Sequence, residues 1–324
     1  MWRFCNDGSR RGTTVFDLDS FGIDRVCAHD MKLLLDTDIG NDIDDALALS
    51  YLLREPQCEL IGITTVCGEP EKRCEMASAI CRHHGRRDIP VHPGCPVPLS
   101  VPQRQPTCPQ AARLGDWPRD RFKADNSAVD FMRRTVRDNP GEVSLLTIGP
   151  LTNVATLFTL DPEIPALLKG LYLMCGRFFG AAGGEWNATL DPWATAIVYG
   201  NTAHPRPSLH ASYGLDVTER VRLPRDEARR RFAGIRALGP VRDFAEVWFD
   251  RSEFVVFHDP LSAVGIFHPE VCTYESAFVR VGLSEPSFGW TVPERPADGV
   301  LAPHRIARTV NPEAFFRIWF SALA

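Results

Sequence analysis

The feature that most constrains this chain is a run of acids. Asp36-Thr37-Asp38-Ile39-Gly40-Asn41-Asp42-Ile43-Asp44-Asp45 puts five carboxylates within ten residues, directly behind Leu33-Leu34-Leu35. Carboxylates packed into one turn repel each other unless positive charge sits among them. A solvated helix cap accounts for one or two such residues, but not for five behind a triple leucine. The leucines read as a buried strand, and 44–53 as a helix whose first-turn acids meet the positive end of its dipole. An acid cluster at the carboxyl end of a strand lies where open α/β sheets bind ligands. Oxygen ligands alone select a hard cation, calcium or magnesium, over zinc. An EF-hand is excluded, because counting from Asp36 its glycine position holds Asn41 and its twelfth position Leu47.

The rest of the chain suits such a sheet. Apolar runs at 60–66, 143–148 and 171–174 alternate with helical stretches at 72–84, 128–137, 151–160 and 192–200. The alternation predicts an α/β fold, an open and mostly parallel central sheet flanked by helices. An extended stretch at 208–215, an Arg-rich helix at 225–238 and an apolar helix at 315–323 follow. Neither an internal repeat nor a Ser/Gly linker interrupts the pattern. Residues 1–30 are therefore expected to form an extension outside the fold, and 31–324 one domain. Residues 92–118 break the rhythm with seven prolines, and 286–303 do so more weakly. So many prolines suit neither a strand nor a helix interior. Long irregular loops of this kind tend to be functional rims or lids.

Composition narrows the partners. A net charge of −5 disfavours a nucleic-acid-binding surface. No apolar run approaches the ~18–20 residues that span a bilayer, and residues 1–30 lack the apolar core of a secretory signal. The expectation is a soluble, cytoplasmic protein with no nucleic-acid or membrane partner. None of the ten cysteines forms a Cys-x-x-Cys pair, so zinc patterns fail. Cys67, Cys74 and Cys81, spaced by seven, read as small apolar residues of a packed interior.

Two further motifs carry chemistry. Phe257-His258-Asp259-Pro260 offers Asp259 as a distant metal ligand and His258 as a proton donor near neutral pH. Glu185-Trp186-Asn187, after Gly183-Gly184, offers hydrogen-bonding side chains on a loop. The strand-end pair Asp36 and Asp38 is also found in phosphotransferases of the haloacid-dehalogenase kind. That family, however, has Thr or Val where this chain has Gly40.

These motifs, with Thr64-Thr65-Val66-Cys67-Gly68 and Ile148-Gly149-Pro150-Leu151-Thr152-Asn153, occur in one order. In that order they resemble the inosine–uridine-preferring nucleoside hydrolases, from about Met31 to the C-terminus, where 306–316 resembles the family's closing segment. The resemblance implies a Rossmann-like core and calcium-dependent hydrolysis of a ribonucleoside to ribose and free base. Calcium (Ca2+) would be held by Asp38, Asp45, Asp259 and the main-chain carbonyl of Ile148. Asp38 would also be the general base toward a metal-activated water, and His258 would lie near the leaving base. Asp42 or Asp44, with Glu69, Met174, Glu185 and Asn187, would line the sugar site, and Trp186 would bind the substrate at the base. A homo-oligomer, dimer or tetramer, is compatible with the family. The residue types suit this chemistry on their own account, because cleaving a nucleoside builds positive charge on the sugar, which flanking carboxylates stabilise.

The chain also departs from the family pattern. Its acidic motif is two residues longer between the glycine and the Asp pair, Glu69 stands where Asn is usual, and 92–118 lacks the usual His-Gly-x-x-Gly-like loop. A calcium-dependent nucleoside or sugar binder with little turnover is the alternative reading. Phe244 and Trp248, at helical i, i+4 spacing, belong either to the core or, for Trp248, to a stacking wall for the base. A site walled in that way should accept a broad range of bases.

Overall fold

The computed structural model describes residues 31–180, 182–200 and 207–324, so the expectation for 1–30 lies outside the described residues. The triple leucine forms the centre of β1 (Met31–Thr37), and 33–37 are buried throughout. Leu33 and Leu35 enter one hydrophobic cluster and Leu34 the other, so β1 is covered on both faces. Two-sided burial is what turns a parallel strand into an unbroken apolar run.

The chain then alternates. It runs through α1 (Asp44–Leu52), β2 (Cys58–Thr65), α2 (Pro70–His83), β3 (Val91–Pro93), α3 (Ala128–Asp138), β4 (Val143–Thr147), α4 (Thr152–Leu160), α5 (Ile164–Leu167) and β5 (Gly170–Met174). Next come α6 (Trp186–Leu190), α7 (Pro192–Gly200), β6 (His210–Tyr213), α8 (Leu215–Thr218), β7 (Arg222–Pro224), α9 (Arg225–Ala233), α10 (Gly239–Phe249) and β8 (Phe254–Val256). The chain closes with α11 (His258–Phe267), β9 (Cys272–Val281), β10 (Thr291–Glu294), β11 (His304–Val310) and α12 (Pro312–Leu323).

The large sheet has the order β10-β9-β11-β6-β5-β4-β1-β2-β3. Every pairing from β11 to β3 is parallel, while β9 and β10 add antiparallel strands at one edge. The chain moves from β1 outward through β2 and β3, then returns to β4 on the other side of β1 and continues through β5 and β6. That reversal opens a crevice at the carboxyl ends of β1 and β4, the position where open α/β sheets bind ligands.

Three local differences have simple causes. The Arg-rich helix stops at Ala233, with Gly234 as its C-cap, and a short 3-10 turn takes up 236–238. Residues 286–303 contain β10, whose Pro293 is tolerated because the strand is at an edge. Residues 92–118 are irregular apart from the end of β3 and a 3-10 turn at Pro109–Arg113. Cys67, Cys74 and Cys81 are free and buried, and burial pushes the Cys74 and Cys81 thiols up to about 12, as packed apolar residues should behave.

Candidate active site

A cavity of about 480 Å3 opens at this crevice. Its floor carries Asp38 after β1, Ile148 after β4 and Met174 at the end of β5, and its walls carry Trp248 of α10 and His258 of α11. Six carboxylates line it: Asp38, Asp42, Asp44, Asp45, Glu185 and Asp259. Asp36 does not reach it. Its carboxylate is fully buried, accepting from Thr64 Oγ1 at 2.5 Å and Asn153 Nδ2 at 2.7 Å, and burial pushes its pKa up to about 7.

Asp44, Asp45 and Asp259 each direct an oxygen to one point, the three atoms lying within 4.8 Å of one another. The main-chain N–H of Asp259 donates to Asp44 Oδ2 at 3.4 Å, joining the first turns of two helices across 215 residues of sequence. Thr37 Oγ1 donates to Asp45 Oδ1 at 2.5 Å and so ties this acid to the strand end. Burial, and then repulsion from neighbouring acids, holds Asp44, Asp45 and Asp259 well above the ordinary carboxylate range. Burial raises Asp42 to about 7. Two guanidiniums temper this field, Arg73 beside Asp38 and Asp45 and Arg251 beside Asp42. A cluster of buried, mutually repelling oxygens fits a hard cation, because a cation would relieve both burdens.

Arg73 is fully buried in α2 and also organises the loops. Its guanidinium donates to the carbonyls of Asp38, Ile39 (3.0 Å), Gly68 (2.9 Å) and Thr107 (3.0 Å). Gly40, at φ +123°, lies against Cys108 Sγ, where an added Cβ would sit at 2.2 Å. Gly149 makes a second close approach, since a Cβ there would meet Asp38 Oδ1 at 2.9 Å.

Glu185 caps α6, accepting from the main-chain N–H groups of Asn187 (2.7 Å), Ala188 (2.9 Å) and Gly176 (3.1 Å). Asn187 Nδ2 donates to the carbonyls of Ile148 and Met174, both at 3.0 Å, so the carbonyl expected to face a metal already lies at the cavity floor. A carbonyl has a second lone pair for another partner. His258 Nδ1 lies 2.7 Å from Thr218 Oγ1, and burial lowers the imidazole to about 4, so it is uncharged at neutral pH.

The predicted aromatic pair divides. Phe244 is fully buried in the core, whereas Trp248 lines the cavity, with Nε1 donating to Phe254 O at 2.9 Å. Glu69, expected at the sugar, lies outside the cavity lining. It accepts from Cys108 N–H at 2.9 Å and pairs with Lys72 at 2.5 Å. Its φ of 57° turns the chain as it enters α2, and the residue at the expected position thus serves the turn. The sequence reading missed Gln105, Arg251 and Arg73. Gln105 lies in the Pro-rich stretch already marked as a rim, but no spacing distinguished it from its neighbours.

That stretch is fastened along its length. Cys67 N–H donates to Cys95 O at 3.0 Å, Leu99 N–H to Asp191 Oδ2 at 2.8 Å, Gly68 N–H to Gln105 O at 3.3 Å, and Gln110 N–H to Gly40 O at 3.1 Å.

A doubly wound sheet thus carries, at the carboxyl ends of its strands, an acid-lined cup with amide, imidazole and aromatic groups, where folds of this class bind ligands. Residues 33–317 match the family model of the inosine-uridine preferring nucleoside hydrolases. The chain is 31% identical over 273 residues to a probable uridine nucleosidase 1 of Oryza sativa subsp. japonica, covering 78% of this chain and 82% of that one. It is 30% identical over 268 residues to uridine nucleosidase 1 of Arabidopsis thaliana, covering 77% and 78%. A purine-preferring ribonucleoside hydrolase from Gardnerella vaginalis superposes with a TM-score of 0.75 at 26% identity, covering 90% of this chain and 98% of that one. The chain belongs to the inosine-uridine preferring nucleoside hydrolase family, and it is an enzyme that hydrolyses the N-glycosidic bond of ribonucleosides.

Proposed function

We propose that this hydrolysis depends on calcium held by Asp38, Asp45, Asp259 and the carbonyl of Ile148, with Asp38 as general base. Two of these ligands, Asp45 and Asp259, converge with Asp44 on one point with oxygen donors only, and Asp38 and Ile148 line the same cavity; that convergence carries the reading. A calcium ion held there would lower the pKa of a water and template the ribose hydroxyls.

The side chains do the rest. Asp38 accepts the proton of the attacking water, held beside the anomeric carbon. Glu185, its oxygens fixed by three main-chain donors, faces the positive charge that develops on the sugar. Asp44 is favoured over Asp42 as the sugar contact. Both line the cavity, but an oxygen of Asp42 is turned back to the Ile43 N–H at 2.5 Å. Neutral His258, paired through Nδ1 with Thr218 Oγ1, would offer Nε2–H to the leaving base in the tautomer where Thr218 donates. Trp248 and Trp186 supply flat walls on which bases of either class can stack, so the substrate range is broad.

Reducing-sugar release from uridine, cytidine, inosine, adenosine and guanosine tests this. Release should disappear on treatment with a calcium chelator and return on adding calcium. Ribose binding without release from any nucleoside would overturn the hydrolytic reading. Activity that survives complete chelation would overturn the calcium reading.

A further inference from the structure

We propose that Gln105 is a positioning residue that holds the Asp38 carboxylate in its reactive orientation and ties it to Trp186 at the rim. The inference rests on the reading of Asp38 as general base. Gln105 is 4% exposed and lines the cavity. Its Nε2 donates to Asp38 Oδ2, and its Oε1 accepts from Trp186 Nε1 at 2.9 Å. An indole nitrogen only donates and an ionised carboxylate only accepts, so the orientation of the amide is fixed by its partners. The other Asp38 oxygen, Oδ1, packs where Gly149 has no Cβ. The carboxylate is thus confined from both sides, by a donor on Oδ2 and by backbone beside Oδ1.

Trp186 is held in its turn. The Arg104 guanidinium lies 5.1 Å from its ring centroid and donates to Thr189 Oγ1 at 3.0 Å. Adjacent residues of the Pro-rich segment therefore grip the rim indole and the buried acid together. The Gln105 side chain is not what fastens the segment. Main-chain bonds from Gly68 to Gln105 and from Gln110 to Gly40, with the Arg73 contact to Thr107 O, remain without it. Replacing the side chain thus separates positioning from folding.

The test uses Gln105→Met, which keeps length and loses the donor, with Trp186→Phe and the double variant. For Gln105→Met we expect kcat to fall roughly 10–100-fold, the range for partners that orient a ligand or catalytic group, with KM little changed. Calcium affinity, read by calorimetry without substrate, should fall too, and the melting temperature should hold. Trp186→Phe should lose part of the same factor, and the double variant no more than Gln105→Met alone, because the two act through one contact. If Gln105→Met does not fold, Gln105→Asn, too short to span both partners, should show the same loss. Unchanged kcat in Gln105→Met while Asp38→Asn is inactive would overturn the inference and leave the base reading intact. Near-normal turnover in Asp38→Asn would overturn the base reading itself. Losses that simply add in the double variant would also overturn the link to Trp186.

Discussion

Two aspartates two positions apart on one motif have opposite fates. Asp36, still inside β1, turns to Thr64 and Asn153 and ties strand to strand and helix. Asp38, past the strand end, faces the cavity. The sequence made the density of acids legible but not this division, which depends on where the strand stops. Asp44, Asp45, Asp259, Glu185 and Asn187 were legible because motif order carried them. Gln105 was not, because a neutral amide among prolines has neither period nor charge to mark it. Gly149 shows how little room Asp38 has. In Gly149→Ala the new methyl would press on Asp38 Oδ1, and a displacement of about an ångström in a reacting group costs on the order of 10²-fold. Kinetics and melting of that variant check this. Turnover should fall far more than stability, and full activity would mean that Asp38 can shift without consequence.

Helix α10 shows the limit of spacing at the level of an element. Four residues advance a helix by 400°, so Phe244 and Trp248 point about 40° apart. That is enough for one to fall in the core and the other at its border, a distinction that spacing does not carry. Phe244→Ala should cost about 3–5 kcal/mol in a denaturant titration. Trp248→Ala should instead raise KM for purine and pyrimidine nucleosides alike, by roughly 5–150-fold if about 1–3 kcal/mol of stacking is lost, with stability nearly unchanged. A rise confined to one class of base would assign Trp248 a reading role. Helices α3 and α4 are joined differently, by Arg137 donating to both oxygens of Asp161 at 2.6 Å. Those bonds hold Asp161 below its ordinary value. Their stabilisation is complete above the unfolded carboxylate value, about 4, and is lost as pH falls through the lowered one. With Arg137 partly exposed, Asp161→Asn should cost about 1 kcal/mol at pH 7. The gap in melting temperature between variant and parent should narrow as pH falls below the ordinary carboxylate range, and a gap independent of pH would remove the ion pair from the account.

For the whole molecule, the α/β class and the place of the site followed from alternation and from acids behind a strand. Strand order was less accessible. Alternation does not say that β11 slots between β6 and β9, nor that β9 runs against the rest, because partners in a sheet are chosen by packing across long stretches of chain. Among the described residues, no helix is long and apolar enough to cross a membrane. The Pro-rich segment was expected to be a rim or lid, and its fastening at Cys95, Leu99, Gln105 and Gln110 favours the rim. A wall pinned at four places does not swing, so the arrival of nucleoside and the departure of ribose need no gate to open. With no gate in this segment, we expect bond breaking to set kcat. Doubling the solvent viscosity with sucrose should leave kcat where it was, and a kcat falling in proportion to viscosity would mean that product release or motion at the site, and not bond breaking, limits turnover.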